Sequence, residues 1–389
     1  MDEKFLLIDG SSLIHRAFFA LPPLTNQKGV NTGAVYGLCN MLLKLLQEIQ
    51  PNYMLVAFDK SRKTFRTEKF SAYKGQRKAT PPELKEQFPL SMELLQAMGI
   101  PTLEVDNYEA DDIIGTLSSA APENVQVKIV TGDRDEFQLI KNNVQVLFTK
   151  KGISNIAVYD EKAFGEEYQG LEPRQIIDLK GLMGDTSDNI PGVPGVGPKT
   201  ALKLITQYRT VENVLDHAEE VKGKALQEKL RNNRDQALLS KELATICLEV
   251  PIDRDPAAYL LTGMTGECRK LMQELQFRNL WDRFVPVLGC AEGTDAGSSD
   301  DPLSLFGEPM ETQALETVEV TDPAQAEKLM EEIKTQGVQV ALAYETAGTL
   351  PKLELVSLDL VFKDRHYALQ PEKAGKERLS PCPKSSKVI

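Results

Sequence analysis

The chain has 389 residues, 41% hydrophobic and 26% charged, an ordinary globular composition long enough for two or three domains, so wholesale disorder is excluded. Its five cysteines (Cys39, Cys247, Cys268, Cys290, Cys382) form no CxxC pair and its three histidines are scattered, which excludes a disulfide framework and a zinc cluster and leaves oxygen ligands, hence Mg²⁺ or Mn²⁺, for any metal. The net charge of −12 argues by itself against nucleic-acid binding, and no apolar run is long enough to span a bilayer.

Met1-Asp2-Glu3-Lys4 carries no signal-peptide pattern, so a cytoplasmic location is expected. Phe5 to Ile8 is a short apolar run ending at Asp9. Val35, Leu38, Leu42, Leu45, Leu46 and Ile49 then recur at helical spacing, and a second apolar run, Tyr53 to Phe58, ends at Asp59. From Lys60 to Lys78 the charges are Lys60, Arg62, Lys63, Arg66, Lys69, Lys74, Arg77 and Lys78, with Glu68 the only acid. Such a run reads either as a solvated face or as a phosphate-facing surface. A helix is expected near Glu83 to Met98, after Pro81-Pro82, and another opens at Glu109-Ala110-Asp111-Asp112. Val125 to Val130 runs into Thr131-Gly132-Asp133, and Val144 to Phe148 follows.

Continuous apolar strands alternating with helices predict an α/β domain, a mostly parallel sheet covered on both faces. Three strands deliver an aspartate at their carboxyl ends, where open α/β sheets bind ligands. One such Asp is commonly a helix N-cap; three together point to a shared acidic site. Asp133 and Asp135 form a D-x-D pair, and Asp185 and Asp188 stand three apart in Gly184-Asp185-Thr186-Ser187-Asp188-Asn189. Crowded carboxylates raise one another's pKa unless cations neutralise them. Two Mg²⁺ ions about 4 Å apart are the usual remedy, and phosphoryl transfer is the chemistry that uses them.

From 172 to 283 the segments read as helices around a Gly/Pro-dense turn, Asn189 to Pro198. Residues 289–312 read as a flexible linker rich in Gly, Ser, Asp and Pro; strand-like Val338 to Tyr344 and Leu353 to Phe362 begin a further α/β or α+β domain; 372–389 is a polar, basic tail expected to be disordered.

Six stretches in this order resemble the N-terminal 5′-nuclease region of bacterial DNA polymerase I, in the flap-endonuclease superfamily: Ile8-Asp9-Gly10-Ser11-Ser12, Ala57-Phe58-Asp59, Tyr73-Lys74-Gly75-Gln76-Arg77, Glu109-Ala110-Asp111-Asp112, Thr131-Gly132-Asp133-Arg134-Asp135, and Gly184 to Gly192. The resemblance covers about 4 to 285. It implies a PIN-like catalytic domain over 1–171 with a helical arch near 60–90, and a helical DNA-binding part over 172–288 with a helix-hairpin-helix. After the linker it implies a partial, vestigial 3′–5′ exonuclease-like domain over 313–371. Ala343 stands where that exonuclease family needs the Asp of its Asp-x-Glu pair, so Glu345 is expected to support no proofreading, and no polymerase segment follows.

By the same resemblance Asp9, Asp59, Glu109, Asp111, Asp112 and Asp133 surround a tightly held ion, and Asp135, Asp185 and Asp188 serve a second. Asp9, Asp59, Asp112, Lys74 and Arg77 form the expected catalytic set, with Lys74 and Arg77 aimed at the scissile phosphate. Tyr73 is expected to stack on a base and Arg16 to meet phosphate. Gly192, Gly195, Gly197, Lys199 and Thr200 of the hairpin are expected on the duplex backbone, with a K⁺ ion between. The implied partners are DNA with a 5′ flap or a nicked or branched duplex, and RNA primers. The implied protein is a monomer, nucleoid-associated during replication and repair. Two other readings are a non-catalytic DNA-binding module and a related ribonuclease.

Overall fold

The computed structural model describes residues 3–150, 156–277 and 279–291, and the backbone of four strands between 317 and 369. Strand β1 (Glu3–Asp9) shows why the apolar runs are unbroken: Phe5 and Leu7 enter one hydrophobic cluster, Leu6 and Ile8 another on the opposite face. A strand buried on both sides cannot alternate with polar residues. Around it lie β2 (Tyr53–Ala57), β3 (Thr102–Leu103), β4 (Val125–Thr131), β5 (Val144–Thr149) and β6 (Ile156–Tyr159), in the order β3-β2-β1-β4-β5-β6. All neighbours are parallel except β5 and β6. In register, Leu7 faces Leu55 on one side and Ile129 on the other.

The strand order reverses between β1 and β4, where chain connections leave in opposite directions and open a crevice at the carboxyl ends. Helix Ala110–Ala120 covers one face through Ile113, Ile114 and Leu117, and helix Gly33–Ile49 the other through Leu38, Leu42 and Leu45. The expected doubly covered, mostly parallel sheet is therefore present.

Helices from Ile176–Met183 to Arg234–Ala244 share the first of these clusters, which runs from Phe137 and Tyr159 to Leu182, Leu204, Val214 and Ala237, whereas Gly266–Glu274 and Leu280–Leu288 pack into the second through Cys268, Met272, Leu280, Trp281 and Phe284. Sheet and helices lie within one compact unit, Met1–Ala296, and helices Gly266–Glu274 and Leu280–Leu288 return to pack on the sheet part. Among the described residues no helix is long and apolar enough to cross a membrane.

Two expectations need correction here. The helical arch near 60–90 is helical only at Phe65–Lys69, Pro82–Lys85 and from Gln87 onward; turns fill the centre. Lys74 takes a left-handed φ of 53° and its N–H donates to Asp188 O at 2.8 Å, so the chain dips toward the acids instead of continuing a helix. The linker does not begin at 289: Met264 N donates to Gly289 O (3.0 Å) and Ala291 N to Met264 O (2.9 Å), pinning that stretch. Residues 292–312 and the expected tail, 372–389, lie outside the described residues.

The second unit, Gly297–Ile389, shows strands β7 (Thr317–Val320), β8 (Ala341–Thr349), β9 (Lys352–Phe362) and β10 (Arg365–Leu369) in the order β7-β10-β9-β8. Strand β8 runs past the expected Tyr344 to Thr349, which pairs with Lys352 of β9. Ala343 and Glu345 both fall on β8, two apart and so on one face.

Candidate active site

The parallel sheet gathers the strand-end acids. Asp9 closes β1 and also caps helix Gly10–Ala20, its Oδ1 accepting Ser12 N at 2.9 Å. The capping and the shared-site readings hold together for this residue. Asp59, two residues past β2, accepts Ala110 N at 2.9 Å, which ties it to the start of helix Ala110–Ala120. Glu109 is the N-cap of that helix and Asp111 lies in its first turn. Asp133 follows β4; its N–H donates to Thr131 Oγ1 (2.9 Å), and the Thr131 hydroxyl donates to Asp9 Oδ2 (3.4 Å). Ser11 and Ser12 lace the strand ends together, accepting Asp59 N (3.0 Å) and Gly132 N (3.1 Å).

These acids open on a cavity of about 1510 Å³, lined by Asp9, Asp59, Glu109, Asp111 and Asp133 and walled by Arg16, Lys60, Arg62, Lys74, Arg77 and Lys78. The overall negative charge thus hides a basic wall over an acidic floor. Arg16 lines this cavity, its Nη1 donating to Lys150 O at 3.0 Å and its Nε buried without a partner among the described residues; partial burial lowers its pKa.

The carboxylates divide into two groups. In the first, each has a protein cation. Lys74 Nζ lies 2.7 Å from Glu109 Oε1 and 3.7 Å from Asp188 Oδ2, and Arg77 Nη2 lies 2.5 Å from Asp188 Oδ1. Buried Lys180 bridges Asp135 and Asp185, the latter at 2.5 Å. Burial would raise the Asp185 pKa, but Lys180 and the Ser187 donors outweigh it and hold it near 2.

The second group, Asp9, Asp59, Asp111 and Asp133, forms no ion pair among the described residues. Burial, then Asp59, pushes Asp9 up to about 7. Burial, then Asp9 and Asp133, raises Asp111 well above the carboxylate range. Burial also raises Asp133, against the pull of Lys180. Acids so placed stay ionised only with a cation among them. Among the described residues no three His, Cys, Asp or Glu side chains converge as a ready metal cage. An oxygen-lined bowl that leaves part of the coordination to water suits Mg²⁺ or Mn²⁺, which keep several waters, better than zinc.

Several expected site residues have other work. Asp112 is fully buried and accepts four hydrogen bonds: Arg66 Nη1 (2.8 Å) and Nη2 (2.7 Å), Cys247 N (2.8 Å) and Glu109 N (3.0 Å). Its oxygens are saturated and it does not line the cavity, so the structure removes it from the metal and catalytic sets. Arg66 is the interior partner; burial would lower its pKa, and Asp112 and Glu109 raise it instead. Tyr73 is not placed to stack on a base: it is 5% exposed, packs on Ile190, Leu243 and Ala244, and its hydroxyl lies 3.1 Å from both Glu109 Oε2 and Asp188 Oδ2.

In the hairpin, helices Ile176–Met183 and Pro198–Tyr208 flank residues 184–197. Gly192 is structural rather than phosphate-facing. Its N–H donates to Ser240 Oγ at 2.9 Å, and a Cβ there, at φ +60°, would sit 2.2 Å from Gly184 N. Gly195, Gly197 and Lys199 are exposed and Thr200 half-buried at the start of the second helix, where free N–H groups favour anions. Lys229 reaches Gly195 from a distant helix and adds a cation to this end.

Lys180, Arg66 and Glu136 are the residues sequence reasoning missed. Lys180 left one trace: a lysine inside helix Ile176–Met183, whose other residues apart from Asp178 are apolar or glycine, five residues before Asp185. Glu136 is fully buried beside the acids, with neither oxygen hydrogen-bonded.

A sheet that converges carboxylates at its carboxyl ends, under a cationic wall, defines the class of metal-assisted nucleases. Residues 4–169 match the family model of the 5′–3′ exonuclease N-terminal resolvase-like domain, and residues 171–267 that of the 5′–3′ exonuclease C-terminal SAM fold. The chain belongs to the 5′–3′ exonuclease family. It is 54% identical over 290 residues to DNA polymerase I of Bacillus caldotenax, covering 73% of this chain and 32% of that protein. Against DNA polymerase I of Bacillus subtilis it is 48% identical over 305 residues, 78% and 34% of the two chains. It therefore spans about a third of the length of these curated relatives. Among solved structures the fold is similar to bacteriophage T5 5′-exonuclease with divalent metal ions (zinc) bound, at TM-score 0.52 and 21% identity, covering 75% of this chain and 100% of that one. It is likewise similar to the T5 flap endonuclease in a complex with DNA and metal ions, at TM-score 0.51 and 21% identity, 74% and 98% of the two chains.

Proposed function

We propose that this chain is a structure-specific 5′ nuclease that hydrolyses phosphodiester bonds in DNA carrying a 5′ flap or a nicked or branched end. The observation that carries this is the group of acids without an ion pair among the described residues, buried Asp9 and half-buried Asp111 and Asp133 with exposed Asp59, lining one cavity with Lys74 and Arg77. Mg²⁺ is the natural ion; held there with Glu109, it would supply an activated water and screen the phosphate's charge. Asp135, Asp185 and Asp188 would complete a second, weaker position once Lys180 and Arg77 release them.

The residues of the wall have a definite part. Lys74 and Arg77 are held by Glu109 and Asp188 through charge-assisted bonds, so their ammonium and guanidinium groups stand at the cavity before any phosphate arrives. When metal neutralises the floor, both cations become free to bind the non-bridging oxygens, where charge grows in the transition state. The exposed hairpin end, Gly195, Gly197, Lys199 and Thr200, would grip the duplex backbone without reading sequence, with K⁺ at its carbonyls. A cytoplasmic, nucleoid-associated monomer is the setting this chemistry needs, and 313–371 would add a vestigial exonuclease-like domain without the Asp-x-Glu pair.

The test is cleavage of a 5′-labelled flap, with Mg²⁺ and with chelator, by wild type and Asp111→Asn. Metal-dependent cutting at the flap base that Asp111→Asn abolishes is the expected result. Binding without cutting in Mg²⁺ would leave only a DNA-binding module.

A further inference from the structure

Glu136 occupies the short turn Asp135–Leu139, just after the loop that carries Asp133. Its neighbours in the turn, Phe137 and Leu139, point into the apolar core, and Glu136 is as fully buried as they are. Neither of its carboxylate oxygens has a hydrogen-bond partner among the described residues. The Thr131 hydroxyl lies close enough to favour the anion, but the hydrogen bond it makes is to Asp9 Oδ2, at 3.4 Å, and it meets Glu136 with no geometry of a full hydrogen bond. The charges that bear most strongly on Glu136 are Asp111 and Asp9, with Asp133 behind them, and all three are acids.

A carboxylate in such surroundings is costly. It has lost its water, has gained at most the weak help of the Thr131 hydroxyl, and faces acids. An apolar residue of similar size would avoid that cost entirely. Two compensations are open: a proton, which burial and the neighbouring acids favour, or a cation supplied from the cavity side, because the acids that bear on Glu136 are the same ones that face the cavity.

We propose that Glu136 is a further carboxylate of the cation centre, facing from the protein interior the divalent ion held at Asp9 and Asp111 and bound to it directly or through one water. This rests on the reading of the acid bowl as a divalent-metal site. Glu136 then deepens the negative well from the side that solvent cannot reach, raising the affinity of the first ion.

Mn²⁺ binding, followed by the loss of the free-ion electron paramagnetic resonance signal, tests this without DNA and without turnover. The whole chain is used near neutral pH, comparing wild type, Asp111→Asn, Glu136→Gln and Glu136→Leu. Removing a group that orients or supplements metal ligands costs roughly 10- to 100-fold in affinity, and a loss in that range is expected for both Glu136 variants. In chelator both should melt at or above the wild-type temperature, because an unpaired buried charge is gone. Wild-type Mn²⁺ affinity in folded Glu136→Gln, with Asp111→Asn still impaired, overturns the assignment of Glu136 alone. No Mn²⁺ binding by wild type, equal to that of Asp111→Asn, overturns the metal-site reading beneath it.

Discussion

Replacing Asp112 by asparagine separates a structural acid from a metal-binding one. In the native protein its two oxygens take four donors, and Arg66, 2% exposed, supplies two of them. Asparagine keeps the shape but removes the charge and turns one acceptor into a donor that confronts donors. Removing one member of a buried ion pair costs about 3–5 kcal/mol. Here the guanidinium keeps Glu109 Oε2 at 3.2 Å and the carbonyls of Leu243 (3.0 Å) and Thr245 (2.9 Å), so the loss belongs near the bottom of that range. Against a total stability of about 5–15 kcal/mol, some 3 kcal/mol is a large fraction. Arg66→Met should cost more, since it leaves fully buried Asp112 without its cation and Glu109 with Lys74 alone. Equilibrium unfolding in urea measures both, and the single tryptophan, Trp281, is 6% exposed and reports on this unit. Folded Asp112→Asn should still bind Mn²⁺ far better than Asp111→Asn does. A stability loss below about 1 kcal/mol, the level of a minor surface change, together with a metal defect as large as that of Asp111→Asn, would refute the structural role and return Asp112 to the cation set.

Lys180→Met strands Asp135 and Asp185 without a cation, so metal-free stability should fall, and added Mg²⁺ or Mn²⁺ should restore more of it than the same ion adds to wild type. A deficit that divalent ions leave untouched would contradict this. The raised pKa of Asp9, about 7 against the usual 3.8, makes the folded chain hold a proton that the unfolded chain releases between those values. In chelator, the stability difference between wild type and Asp9→Asn should therefore move against wild type as pH rises from about 4 to 7, while Mn²⁺ affinity rises across the same window. Thermal melts whose difference is flat, or favours wild type as pH rises, would rule that out. Lys199→Ala should weaken duplex binding and reduce the slope of log Kd against log salt by about 1, and an unchanged slope would remove Lys199 from the backbone contacts.

The strand-end acids were legible because a parallel strand announces itself as an unbroken apolar run, and the residue that follows must emerge at the carboxyl edge. Asp9, Asp59 and Asp133 all obey this. Local sequence could not distinguish Asp111 from Asp112. They are neighbours in one helical turn, and what divides them is Arg66, 46 residues away from Asp112 in sequence, reaching across to one and not the other. The same limit applies to the hairpin glycines. Gly192 and Gly195 look alike in sequence, yet Ser240, 48 residues on, claims the N–H of the first. Tyr73 and Lys74 were read as an arch facing DNA. The left-handed backbone at Lys74 instead turns the phenol inward, a conformational choice that a non-glycine residue rarely makes and no composition signals.

The cations of this site explain why binding of metal and of DNA should reinforce each other. Lys74, Arg77, Lys180 and Arg66 are all engaged with carboxylates, while Asp9, Asp59, Asp111 and Asp133 have none. A phosphate approaching the metal-free floor meets like charge in a partly buried site, where water screens poorly. It also finds Lys74 and Arg77 already committed. Divalent ions reverse both conditions: they cancel the floor's charge and weaken the hold of Glu109 and Asp188 on the cations above. Lys180 and Arg66 differ in that they are 6% and 2% exposed and lie outside the cavity lining: Arg66 holds the scaffold at Asp112, and Lys180 holds Asp135 and Asp185 until a second ion takes them. The cations that line the cavity, half-buried Lys74 and exposed Arg77, are thus the ones placed to exchange a carboxylate for a phosphate, and Arg66 and Lys180 are not.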